Sequence, residues 1–257
     1  MSSIGSFPDL GITLGDDYVA TVEIQRPPHN YFDHALIKAL ADAFTALDEH
    51  DGTRAIVLCA DGKSFCAGAN FGGGRSEDQP GQLYREAVRL FSTKTPVVAA
   101  VQGAAIGGGL GVALMADFRI AGPDARFAAN FARLGFHQGF GLSVTLPALV
   151  GQQKALELLY TGRRINGEEA VAIGMADRLV PQDALREEAH AFALEIARSA
   201  PLAVLSIRQT MRGDLADKVK AATDHELVEQ DRLRRTEDFK EGVRATAERR
   251  LPDFKGR

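Results

Sequence analysis

Apolar and polar residues alternate over 12–14 and again over 18–24, on either side of Gly15, Asp16 and Asp17. This pattern predicts a β-hairpin closed by a tight turn. Pro27 and Pro28 then end the second strand. After Asp33 the period changes: Leu36, Ile37, Leu40, Phe44 and Leu47 recur at helical spacing, which predicts a helix capped by the Asp33 carboxylate. Continuous apolar runs at 55–58 and 96–101 predict buried strands, and a helix is predicted over 110–116, just beyond a cluster of glycines. Short strands follow at 118–121 and 126–128, separated by Gly122, Pro123 and Asp124. Helices are predicted over 142–149 and 153–160. From Asn166, an N-cap followed by Glu168 and Glu169, the chain reads as almost wholly helical: 167–173, 182–198, 201–213, 217–233 and 236–248. The expected class is α/β in front and helical behind.

The composition suits one large soluble domain, or one domain with a helical appendage: 257 residues, 45% hydrophobic and 25% charged. A net charge of −4 argues against nucleic acid as a partner, since no basic domain or stripe is present. Cys59 and Cys66 are a sparse pair and read as reduced thiols. The chain opens on a short polar stretch, and no apolar run reaches the roughly 20 residues of a membrane span, so no membrane association is expected and the cytoplasm is the expected location. Residues 65–74 are small and glycine-rich and 76–81 polar, which predicts an exposed loop. The dense charge from Glu226 to Arg235 reads as a solvated helix face, with an oligomer contact as the alternative.

Candidate chemistry centres on Gly107, Gly108 and Gly109, between a buried strand and a helix. Glycines there admit a ligand to the backbone, and free N–H groups at a helix start suit an anion or a developing oxyanion. A tight strand-to-helix turn that uses glycine only for geometry is the competing explanation. Other motifs fail. Gly62, Lys63 and Ser64 end like a phosphate-binding loop, but Val57 stands where its first glycine belongs. Gly107 and Gly109 are followed by Val112 where a dinucleotide fingerprint needs glycine. His225 and Glu226 begin a zinc-protease pattern whose second histidine is Glu229, so no metal is implied. Ser143 lacks the trailing glycine of a hydrolase elbow and reads as a helix-capping serine. Asp117, at the end of the central helix, reads as structural, capping a neighbouring backbone.

Several stretches together resemble the enoyl-CoA hydratase/isomerase, or crotonase, superfamily. They are Gln25 to Asn30, Arg54 to Cys59, Gly62 to Asn70, Pro96 to Gly109, Leu149 to Ile165, Glu168 to Ala170, Asp238 to Ala245 and Arg249 to Phe254. They span nearly the whole chain in family order. The resemblance implies a spiral of repeated ββα units over 1–197 and a C-terminal helical trimerisation region over 198–257. It implies a homotrimer or dimer of trimers and an acyl-CoA substrate, with coenzyme A carried by the substrate and no separate cofactor. It also implies that the N–H groups of Ala69 and Gly108 stabilise a thioester enolate or tetrahedral oxyanion, beside substrate-binding Ala67, Gly68, Asn70, Gly107, Gly111 and Phe131.

The resemblance also has departures. Hydratase members carry two glutamates, whose positions fall on Gly111 and Phe131; a third acid position, used by some isomerases and a dehalogenase, falls on Gly139. Ordinary crotonyl-CoA hydration is therefore expected to be weak or absent. His137, beside the third position, and Tyr84, where dehalogenase members keep a histidine, are the candidate acid/base groups. A hydrogen-bonded structural histidine and a core aromatic are their structural alternatives. Tyr31, Phe32, Phe71, Phe131 and Phe136 are candidates to line an aromatic acyl pocket or simply to fill the core. A catalytically silent acyl-CoA-binding protein or assembly subunit is the alternative function.

Overall fold

A computed structural model describes residues 4–70 and 80–257. Strands β1 (Leu10–Leu14) and β2 (Val19–Ile24) form the expected hairpin, with Leu14 opposite Ala20. Tyr18, expected in the second strand, has a φ of 69° and belongs to the turn. In α1 (His34–Asp48) the Asp33 carboxylate accepts the Leu36 N–H at 2.9 Å, and the apolar stripe faces inward. Strand β3 (Ala55–Ala60) is buried throughout. Helix α2 (Pro80–Phe91) takes in Pro80 and Gly81, the end of the predicted loop, because proline's fixed φ suits a first helical position. Residues 71–79 of that loop, Phe71 among them, lie outside the described residues.

The chain continues through β4 (Val97–Val101), β5 (Ala104–Ile106), α3 (Gly108–Leu114), β6 (Phe118–Ala121), β7 (Arg126–Ala128), α4 (Leu142–Val150), α5 (Gln152–Thr161), β8 (Ile165–Asn166), α6 (Gly167–Ala172) and β9 (Arg178–Leu179). Four more helices complete it: α7 (Leu185–Ala197), α8 (Pro201–Arg212), α9 (Leu215–Leu233) and α10 (Glu237–Ala247). The late helices fall within a few residues of their predicted bounds, and Asn166 caps α6 by accepting the Glu169 N–H at 2.8 Å. Strands β5, β8 and β9 were not predicted, since two or three residues are too few to show a period.

The strands form two layers. A six-stranded sheet runs β1-β2-β3-β4-β6-β9, parallel except for the hairpin, and a second sheet runs β5-β7-β8. Single-residue bridges from Phe32 to Ala69 and from Cys66 to Ala105 extend the second layer. Successive passes, such as β4, β5 and α3, therefore place one strand in each layer and then a helix, which is the expected ββα spiral. One face of the large sheet is covered by α7, whose Leu185, Ala189, Ala193 and Ala197 pack on Val57, Val98 and Ile120. Helix α9 lies against α2 and α4 of the spiral. Among the described residues no single helix is long and apolar enough to cross a membrane.

Helix α8 buries no residue, and its Leu202, Ile207 and Met211 are 80%, 62% and 80% exposed. Charge fastens it to the spiral. Asp117 accepts the β4 N–H of Val97 at 2.8 Å, as expected of a backbone cap, and also receives Arg208 Nε at 3.0 Å and Arg212 at 2.9 Å. Removing one partner of such a largely buried cluster strands the other charges. Asp117→Asn is expected to lower stability by about 3 kcal/mol, read as a reduced urea midpoint with unchanged slope.

Candidate functional site

The glycine cluster is a site of close backbone approach. Gly107, with φ 57° and ψ −122°, is the N-cap of α3, and Gly108 is its first residue, two positions before the predicted start. As a first-turn group, the Gly108 N–H has no acceptor within its own helix. Segment 66–69 runs parallel to 104–107: the Cys66 N–H donates to Ala104 O at 2.9 Å, and the Ile106 N–H donates to Cys66 O at 3.1 Å. A Cβ on Gly109 would lie 2.8 Å from the Cys66 carbonyl carbon, and one on Gly68 would lie 2.7 Å from Ile106 O. Phe32 donates its N–H to Gly68 O at 3.0 Å, and the bridge pattern leaves the Ala69 N–H outside that ladder. The fold thus brings Cys66 and Gly68 against residues 104–106 and Gly109, which are distant in sequence, and places the following Ala69 and Asn70 next along the same segment. Cys59 and Cys66 are free thiols, and burial pushes that of Cys66 up to about 12, so it remains a packed, protonated group.

Aromatic rings fill the space behind this approach. A Cβ on Gly108 would lie 2.6 Å from Phe32 Cε1, and one on Gly111 would lie 2.6 Å from Phe140 Cβ. Phe140 meets Phe32 edge to face at 5.8 Å and Phe91 at 6.5 Å, and it is held at a φ of 62°, which is rare for a residue with a Cβ. The end of the Phe131 ring would stand 3.7 Å from a Cβ on Gly107, and Phe131 packs on Phe136 with centroids 5.4 Å apart. Of the proposed pocket aromatics, Phe32 and Phe131 reach the glycine cluster and Phe136 packs behind Phe131, whereas Tyr31 is 40% exposed and meets His29 edge to face.

Tyr84 and His137 are joined through a residue that sequence reasoning passed over. The Tyr84 hydroxyl donates to Gln230 Oε1 at 2.9 Å, and Gln230 Nε2 donates to His137 O at 3.0 Å. Burial and the nearby Glu226 hold the Tyr84 phenol well above its usual range despite its hydrogen bonds to Gln230 and the Phe140 N–H, so it is a neutral hydroxyl. Tyr84 and Gln230 close on Gly139, where an added Cβ would lie 2.6 Å from Gln230 Nε2. His137 Nδ1 is 2.9 Å from Gln138 O, and a carbonyl only accepts, so the neutral ring carries its proton on Nδ1 and leaves Nε2 as the basic nitrogen. The His225 ring meets it edge to face at 5.9 Å.

Two expectations are corrected here. Ser143 does not cap α4: the cap residue is Gly141, and the capping acceptor is Glu226, which takes the N–H groups of Gly141 at 2.9 Å and Ser143 at 3.1 Å. The Ser143 hydroxyl donates to the same carboxylate at 2.6 Å. The stretch from Glu226 to Arg235 is likewise not a uniformly solvated face, since Glu226 and Gln230 are 0% and 2% exposed. Their four-residue spacing was the available signal, but it does not say which helix face turns inward. Among the described residues no cluster of His, Cys, Asp or Glu is placed to hold a metal ion. A cavity of about 510 Å³ lies away from the glycines and is lined by Glu237, Lys240, Glu241, Arg244 and Arg250, much of whose charge is already ion-paired.

Residues 15–257 match the sequence profile described as enoyl-CoA hydratase/isomerase. A probable enoyl-CoA hydratase of Bacillus subtilis (strain 168) is 32% identical over 251 residues, covering 94% of this chain and 96% of its own. A carnitinyl-CoA dehydratase of Proteus mirabilis (strain HI4320) is 32% identical over 249 residues, covering 93% and 95%. Among solved structures, an enoyl-CoA hydratase/isomerase from Pseudoalteromonas atlantica T6c superposes with a TM-score of 0.88 at 32% identity, covering 96% of this chain and all of that one.

The packing of Phe140 on Gly111 is open to a double-mutant test. Gly111→Ala is expected to cost about 1 to 3 kcal/mol through overpacking. Combined with Phe140→Ala it should cost less than the two single changes together, by about 1 kcal/mol or more, measured by urea unfolding of all four proteins.

Proposed function

The chain belongs to the enoyl-CoA hydratase/isomerase family, and on that premise we propose that it binds an acyl-CoA thioester and stabilises the charge that develops on the thioester oxygen. The observation that supports this is the pairing of Cys66 with Ala105, which brings the chain leading to Ala69 alongside the strand leading to Gly108; the N–H groups of Ala69 and Gly108 are the two donors in this reading. When the α-carbon loses a proton or the carbonyl gains a nucleophile, the oxygen becomes negative, and donors already in position stabilise it without reorganising. Ala67, Gly68, Asn70 and Gly107 form the wall along which the thioester lies. Coenzyme A is part of the substrate, so no separate cofactor enters.

The reaction we propose is enolate or oxyanion chemistry that does not add water through paired carboxylates. Gly111 and Gly139 stand against Phe140 and Tyr84, and Phe131 is apolar. The nearby buried carboxylate, Glu226, is occupied by three donors at the start of α4. His137 Nε2 is the base this site offers, and Tyr84 acts through Gln230 to hold the 137–140 loop that carries it. A second reading, an acyl-CoA-binding subunit without turnover, is favoured by one observation: the Phe32 ring lies against Gly108, where the thioester oxygen has to arrive. For the assembly we propose a trimer or dimer of trimers, in which the bare apolar residues of α8 gain cover.

Titration with crotonyl-CoA and cinnamoyl-CoA, followed by calorimetry and enoyl absorbance, is expected to show binding without hydration. Hydration at rates typical of the family would overturn the proposal about the acids, and absence of binding would overturn the thioester itself. Once a turned-over thioester is found, Gly108→Pro should lower kcat about 100-fold or more relative to Gly108→Ala. Both variants press on Phe32, but only proline lacks the N–H. No turnover across a thioester panel, with binding intact, would select the silent subunit. Light scattering should give three or six chains per particle, and a monomer would leave α8 without its proposed cover.

A further inference from the structure

Helix α9 turns a polar stripe toward the spiral. Thr223, Glu226 and Gln230 are 2%, 0% and 2% exposed, and Arg234 continues them at the next four-residue step. The first three are satisfied: Thr223 donates to Lys220 O at 2.9 Å, Glu226 receives the start of α4, and Gln230 links Tyr84 to His137. Arg234 differs. Its Nε is buried without a hydrogen-bond partner, and none of the ion pairs among the described residues includes it.

Asp231, three residues back on α9, is exposed and takes part in no ion pair among the described residues, and the other neighbouring acids are engaged elsewhere. Glu229 pairs with Arg232 at 2.6 Å, Glu237 pairs with Arg257 at 2.9 Å, and Asp238 accepts the N–H groups of Lys255 and Gly256. Arg208 and Arg212 each also leave one buried nitrogen unpaired, but both are ion-paired with Asp117. A cation at a helix C-terminus is favourable with its head in water, and Arg234 is the residue that ends α9. That role does not account for a buried donor with nothing to donate to, which is an unfavourable state unless a ligand completes it.

The surroundings indicate the ligand. The Arg234 guanidinium lies 5.8 Å from the Phe136 centroid, Phe136 packs on Phe131 at 5.4 Å, and Phe131 reaches Gly107. The packed rings of Phe131 and Phe136 thus form a continuous apolar contact from Gly107 to a guanidinium that makes no ion pair among the described residues, and a guanidinium is the group best shaped to take a carboxylate through two parallel N–H bonds. We propose that Arg234 determines specificity by binding a free carboxylate at the far end of the acyl chain, so that the preferred substrates are CoA thioesters of dicarboxylic acids. This rests on the acyl-CoA assignment above. The methylenes lie along Phe131 and Phe136, and the thioester lies at Gly108.

The test compares matched thioesters by calorimetry: succinyl-, glutaryl- and adipyl-CoA against butyryl-, valeryl- and hexanoyl-CoA. At least one diacid is expected to bind tenfold or more tightly than the monoacid of equal length. That margin should fall below threefold in Arg234→Gln and persist in part in Arg234→Lys, with monoacid binding unchanged in both. A wild-type protein that binds monoacids and diacids alike overturns the inference and leaves the thioester site standing, a comparison that needs no variant to fold. A preference that survives Arg234→Gln overturns the assignment to Arg234. Failure of all six thioesters to bind removes the acyl-CoA premise and this inference with it.

Discussion

Everything at the candidate site depends on how closely two stretches of backbone approach. Segment 66–69 lies against 104–109 because Gly68 and Gly109 have no Cβ; at either position an added carbon would overlap the opposing chain. The hydrogen bonds through Cys66 lock that approach and tie the second strand layer together. The start of α3 at Gly108 follows directly on this paired stretch. The glycines therefore serve packing, and under the proposed function the same stretch supplies the donors to the thioester oxygen.

Large side chains crowd that fixed backbone. At the positions where the resemblance implies acids, Gly111 stands against Phe140, Gly139 against Tyr84, and Phe131 packs on Phe136. The packing of Phe140 on Gly111 goes with a φ of 62° at Phe140 and 74° at Gly141. Glu226 fixes that loop from α9 through the start of α4. A carboxylate is thus present near the site, but it holds a loop in place and its lone pairs are occupied.

Polar contacts help to attach the helical end of the chain. Helix α8 is held by arginines converging on Asp117, and α9 by a buried polar stripe that meets α2 and the 137–143 loop. Such contacts fix orientation, because each donor needs its acceptor in one place, whereas apolar contacts tolerate sliding. That orientation holds Tyr84 and His137 together through Gln230.

The sequence by itself determined the secondary elements and their order, since hydrophobic period, the Asp33 and Asn166 caps and proline placement are local signals that survive into the fold. It also pointed to the glycine cluster, because an unbroken apolar run interrupted by three glycines is legible without neighbours. Two-residue strands, the turn at Tyr18, the start of α3 and the capping of α4 by a residue 83 positions away from Ser143 were not legible. Each depends on a partner distant in the chain. The tertiary structure alone decided that Phe140 fills the space at Gly111, that Gln230 joins Tyr84 to His137, and that α9 turns Glu226 inward and leaves Arg234 without an acid. The physical reason is that a helical period says which residues share a face, while only packing says what that face meets.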